Sequence, residues 1–149
     1  MPPRYDVRWL EEEGVIEIEY AGVRVVDDAT FDAWKSTVLA GLSAIHTRIG
    51  RAAPLIVNID ELKLHPRMGE RYSRELALPI AHKYASIIAR YGAHGSTGRV
   101  VAVEAMRRTV NLDDPAAKAR EYAANTFATR AEALAFVARW VAGQPSSSG

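Results

Sequence analysis

Residues Pro54 to Ser73 read Pro-Leu-Ile-Val-Asn-Ile-Asp-Glu-Leu-Lys-Leu-His-Pro-Arg-Met-Gly-Glu-Arg-Tyr-Ser, an apolar run that breaks into a charged loop. Leu55, Ile56, Val57 and Ile59 have the continuous hydrophobicity of a strand covered on both faces, and Asp60 marks where it surfaces. A strand of this kind belongs in a sheet layered between helices. The loop behind it is the first place to look for function.

Working outward, Tyr5 to Leu10 and Val15 to Tyr20 flank Glu11-Glu12-Glu13-Gly14, a turn in which Gly14 can supply positive φ, so they read as an antiparallel hairpin. Ile16, Ile18 and Tyr20 share one face and Val15, Glu17 and Glu19 the other. Only the first is clearly apolar, which suits a strand near a sheet edge. A short Val23 to Val26 segment follows, then Asp27, Asp28 and Thr30, whose side-chain oxygens suit a helix start. Phe31, Trp34, Val38, Leu42, Ile45 and Ile49 then recur at helical spacing up to Gly50. His46 lies beside this stripe and has no ligand-spaced partner.

Beyond the central strand, Leu76, Ile80, Tyr84, Ile87 and Tyr91 keep helical spacing across Pro79, which predicts a second helix kinked or broken near Leu78. The stretch from Gly92 to Arg99 is glycine-rich, but it lacks the lysine of a phosphate loop and precedes a strand, so it reads as a connection. Val100 to Val103 is the next buried strand, followed by Glu104 and the basic pair Arg107-Arg108. Asp113-Asp114-Pro115 starts an alanine-rich helix to about Asn125, and Thr129 with Glu132 forms a capping box ahead of a packing helix containing Leu134, Val137 and Val141.

The order predicts an α/β fold: a mixed four- to five-stranded sheet with an N-terminal antiparallel hairpin, then β-α-β-α-β crossovers and C-terminal packing helices. A chain of 149 residues is expected to form one domain over residues 1–142, with 143–149 as a disordered tail. The formal charge of +1 argues against a nucleic-acid binder. No apolar run reaches the roughly 20 residues needed to span a bilayer. The absence of cysteine removes disulfides and thiolate chemistry, which is compatible with a cytoplasmic setting. Of the 19 basic residues 15 are arginine, the better partner for carboxylate or phosphate, although an arginine-favouring base composition would have the same effect.

Parallel strands place the segments after them at one edge, where open α/β folds bind ligands. That edge collects Asp27, Asp28 and Thr30, then Asp60, Glu61, His65, Arg67 and Arg71, then Glu104, Arg107 and Arg108. One reading is an anion or partner site built on Asp60, His65, Arg67, Arg71, Arg107 and Arg108. The other is that the arginines are consumed in ordinary ion pairs with Asp60, Glu61, Glu70 and Glu104. No nucleophile elbow or zinc-binding helix is present, and Asp60 with His65 has no nucleophile to activate, so no enzyme, cofactor or metal is expected.

The strand end from Leu55 to Asp60, the strand from Arg99 to Val103 and the closing segment from Phe127 to Val137 resemble the STAS domain of anti-sigma-factor antagonists and the related STAS/SEC14-type proteins. The likeness covers residues 5–142. It implies a non-enzymatic regulatory or binding module that meets a protein partner or a small anionic ligand through the loops after the central strands. Phosphorylation-switched members carry a Ser or Thr at the start of the helix after the central strand. Here His65 to Glu70 holds no hydroxyl, and Ser73, a turn later, is the first candidate for modification. Two further readings are a carrier of an apolar or lipid-like ligand held near Trp34, Tyr84 and Trp140, and a small enzyme using His65 and Asp60. The expected partner is a protein, with a second copy of the chain as one form of it.

Overall fold

The computed structural model describes residues 3–92 and 126–144. They form the α/β fold with a mixed sheet that the pattern predicts. Strand β1 (Arg4–Leu10) pairs antiparallel with β2 (Val15–Ala21) through a turn in which Gly14 takes φ 68°. β2 pairs in parallel with β4 (Ala53–Asn58), and β4 with β6 (Ala85–Tyr91). The two-residue β7 (Thr126–Phe127) adds in parallel beyond β6. Short β3 (Val23–Val25) and β5 (Leu62–Leu64) pair with each other as a separate parallel ribbon past the ends of β2 and β4.

Helix α1 (Asp28–Ile49) follows the sequence closely. Asp27 caps it by accepting from Thr30 N–H at 2.8 Å, while Gly50 ends it in the left-handed conformation. Its buried stripe is Phe31, Trp34, Val38, Leu42 and Ile45. The helical region 66–84, here α2, is less regular: a 3-10 turn Pro66–Met68, one α turn Gly69–Arg71, and two wide π turns, Tyr72–Ala77 and Ile80–Tyr84. The wide turns flank Leu78 and Pro79, where a missing N–H prevents a regular α-helical ladder. α1 and α2 cover the same face of the sheet, as two right-handed crossovers in the same direction require. Helix α3 (Arg130–Ala142), capped by Thr129 accepting from Glu132 N–H, covers the other face with Ala133 and Val137.

One expectation is corrected. The run from Ala85 to Tyr91 is a strand, not the end of a helix. It is buried on both faces, so no alternation betrays it, and its spacing from Leu76 and Ile80 mimics a helical stripe. The β-branched pair Ile87-Ile88 and the open ladder of β4 favour the extended form. The hairpin lies at the sheet edge as expected, with β1 outermost, and the Glu17 face of β2 is covered, Val15 and Glu17 lying beneath α3 with Ile56 and Tyr91. The expected strand Val100–Val103, the helix to Asn125 and residues 145–149 of the tail lie outside the described residues.

Candidate functional site

The edge beyond β2 and β4 is assembled by local devices. Gly22 takes φ 62° and donates its N–H to Glu61 Oε1 at 3.1 Å, and Val23 N–H donates to Glu61 O at 3.1 Å. These bonds join the starts of β3 and β5, while His65 N–H donates to Val25 O at 2.9 Å at the far end. Two helical starts then open side by side. Asp27 caps α1, where hydrogen bonds from Thr30 hold its carboxyl below the usual range. His65 caps α2 by accepting from Arg67 N–H through Nδ1 at 3.2 Å.

Arg71 is committed to the fold. Its guanidinium donates to Glu75 at 2.7 and 2.9 Å, to Asp32 at 2.9 Å and to Asp28 at 3.0 Å, and lies 4.2 Å from the centre of the Phe31 ring. Glu75 also accepts from Lys35 at 3.0 Å. These pairs join α1 to α2, and the bonds from Arg71 hold Glu75 down at about 2. The ion-pair reading thus applies to Arg71, with Asp28, Asp32 and Glu75 in place of the acids nearest in sequence. Arg67 is exposed beside Asp27. Asp60 is exposed, and its N–H donates to Asn58 Oδ1 at 3.0 Å. His65 makes no hydrogen bond to Asp60 among the described residues, so the two do not form a dyad there. Ser73 lies on the first wide turn of α2. Arg107, Arg108 and Glu104 lie outside the described residues.

Three features escaped the sequence reading. On the outer face of the ribbon, Arg24 and Lys63 stand opposite each other in register, both exposed, between the buried pairs Val23/Leu62 and Val25/Leu64. The second is a polar node under α3. Glu17, 1% exposed, accepts from Tyr91 Oη at 2.6 Å, from Arg130 at 2.7 and 3.1 Å and from Arg8 at 3.0 Å. Burial works to raise its carboxyl, but the bonds from Arg130 and Tyr91 and the charges of Arg130 and Arg8 outweigh it, and the net displacement is downward.

The third feature is a cavity of about 30 Å³ between the sheet and the helices α1 and α2, with room for about two waters. Its walls are mostly apolar, and its polar groups belong to Trp34, Tyr20, Tyr72 and Arg90. Arg90, 4% exposed, donates to Tyr72 Oη at 3.1 Å, and Tyr72 stacks on Trp34 with ring centres 5.5 Å apart. The fully buried Trp34 Nε1 makes no hydrogen bond among the described residues, although it lies near enough to the Tyr20 hydroxyl to oppose the rise that burial imposes on that phenol. Of the residues expected to line a carrier pocket, only Trp34 does so. Tyr84 packs edge-on against His46, and Trp140 lies with α3 on the opposite face. A space of this size holds no lipid chain.

Among the described residues no three His, Asp or Glu side chains are placed to hold a metal ion, and no helix is long and apolar enough to cross a membrane. Comparison of the chain with protein-family models, with curated proteins and with solved structures returns no match.

Proposed function

We propose that the chain is a non-enzymatic STAS-like regulatory or binding module that meets an acidic protein partner through the edge where β3 and β5 end. The observation that carries this reading is the Arg24/Lys63 pair. Like charges held side by side repel, and among the described residues neither forms an ion pair. Val26, 44% exposed, and the exposed His65 and Arg67 continue the surface at the ends of the two strands. An apolar contact ringed by arginine and lysine suits a partner that brings carboxylates. Arg71, with three acids around it, is assigned to holding α1 and α2 in place. The lack of cysteine supports a cytoplasmic setting for this role.

A photo-crosslinker placed at position 63 in cells tests the reading. A discrete adduct is expected, lost in Arg24→Glu and retained in Arg48→Glu, which reverses a charge at the end of α1. An adduct of doubled chain mass identifies the partner as a second copy. An adduct indifferent to Arg24→Glu, or none at all, refutes the proposal.

A further inference from the structure

We infer that β1 is the edge along which two copies of this chain pair, antiparallel about a two-fold axis at Val7. β1 ends the sheet, and among the described residues it has a ladder partner on one side only, β2. The backbone N–H and C=O groups directed away from β2 are therefore open to a further strand. Edge strands are commonly blunted by proline, lysine, a bulge or shortness. β1 has none of these: it runs for seven residues, and its register with β2 is unbroken. Tyr5, Val7, Trp9 and Leu10 are only half-covered, whereas Ile16 and Ile18 on the neighbouring strand are buried.

The order of residues in the strand, Arg-Tyr-Asp-Val-Arg-Trp-Leu, selects a second copy as the occupant. A two-fold axis normal to the sheet keeps like faces together, so it pairs odd positions with odd and even with even. Centred on Val7, it sets Asp6 opposite the partner's Arg8, and Arg8 opposite the partner's Asp6, on one face. On the other face Tyr5 meets the partner's Trp9 and Trp9 the partner's Tyr5. Opposite charges and aromatic rings are the favourable cross-strand pairs, at Cβ separations of roughly 5 Å. Moving the axis one residue either way brings Asp6 against its own copy or Arg8 against its own copy, and leaves the strand ends unpaired. The charges within one chain favour the same arrangement. Asp6 faces Glu19 across the ladder, and among the described residues its ion pair is with Arg4, at 3.3 Å. Arg8 bonds Glu17 and Glu19 through a single terminal nitrogen, so further donors of its guanidinium remain for the partner's Asp6. This edge is separate from the β3 and β5 ribbon that carries Arg24 and Lys63.

The test is the mass of the full chain in solution, read by light scattering, together with single-cysteine cross-linking, which a chain without cysteine allows cleanly. Twice the chain mass is expected at concentrations up to about 100 μM. Val7→Cys should form a disulfide with its own copy on mild oxidation, because directly opposed Cα atoms lie about 4.5–5.5 Å apart, within disulfide reach. Arg4→Cys, opposite the partner's Leu10 and far from its own copy, should not. Asp6→Arg should weaken the dimer roughly tenfold, since it turns two attractive pairs into repulsive ones. Lys63→Glu, on the ribbon, should leave the dimer intact. A chain that stays monomeric over this range overturns the inference, as does a dimer that Asp6→Arg does not weaken. Equal cross-linking of Val7→Cys and Arg4→Cys overturns it too, and this comparison decides alone if Asp6→Arg fails to fold.

Discussion

Glu17 and Arg130, 113 positions apart, meet as a two-point ion pair: Nε lies 2.7 Å from Oε2, and the second guanidinium nitrogen lies 3.1 Å from Oε1. The carboxylate is on β2, at 1% exposure, and the arginine is the first residue of α3. Arg8 from β1 and Tyr91 from β6 complete the same node, so three strands and the last helix depend on one charge. Arg8 also donates to Glu19 on the exposed side.

Arg130→Met should lower stability to urea by about 1–3 kcal/mol, because it strips a buried carboxylate of its best donor while Arg8 and Tyr91 remain. Glu17→Met combined with Arg130→Met should recover part of that loss, since removing both charges removes the desolvation cost as well. A double variant no more stable than Arg130→Met would show that the pair is not what holds α3 in place.

Stability should rise with pH across the acid range. Glu17 and Glu75 both have folded-state carboxyls held below their unfolded values, so the unfolded chain binds more protons. Their contribution is complete above the ordinary carboxylate value near 4.5 and is lost as pH falls from there toward about 2, the Glu75 value. Urea midpoints measured at pH 7, 5, 4 and 3 should hold nearly level to 5 and then drop. Glu75→Gln should flatten the drop, and an unchanged profile in that variant would remove Glu75 from the account.

Gly41 faces Val7 across the α1–β1 contact so closely that a methyl group there would sit 2.8 Å from Val7 Cβ. Gly41→Ala, favourable by helix propensity alone, should therefore destabilise by about 1–3 kcal/mol through overpacking. Shortening the opposing side chain with Val7→Ala should relieve it. A neutral or stabilising Gly41→Ala, read from the midpoint of thermal or urea unfolding, would mean that α1 can move away from β1 at little cost.

The strand assignment of Ala85–Tyr91 makes a separate prediction in hydrogen exchange. Amides of β6 bonded to β4 should exchange only through global unfolding, whereas those around Leu78 and Pro79, between the wide turns, should open locally with less free energy. Equal protection on both sides of Tyr84 would contradict a boundary there.

Much of the frame was legible because its signals are local. The stripe from Phe31 to Ile45, the Asp27 and Thr129 caps and the turn at Gly14 each lie within a few residues of what they specify. The run after Tyr84 was not legible, because a strand buried on both faces has no alternation to separate it from a helix. At the edge, the ion partners of Arg71 were not legible from neighbouring sequence. Arg71 meets Asp28 and Asp32, 43 and 39 positions away, as well as Glu75 one turn ahead.

The stretch from Pro54 to Ser73 thus determined by itself that a buried strand leads through charge into a helical region, since hydrophobic run length and turn chemistry need no tertiary context. Only the tertiary structure decided which charges are spent and which remain. Ion pairs and buried donors depend on distances between elements far apart in the chain, and those distances exist only once the sheet is formed. The same closure left Arg24 beside Lys63 on the surface and brought Trp34, Tyr72 and Arg90 together inside.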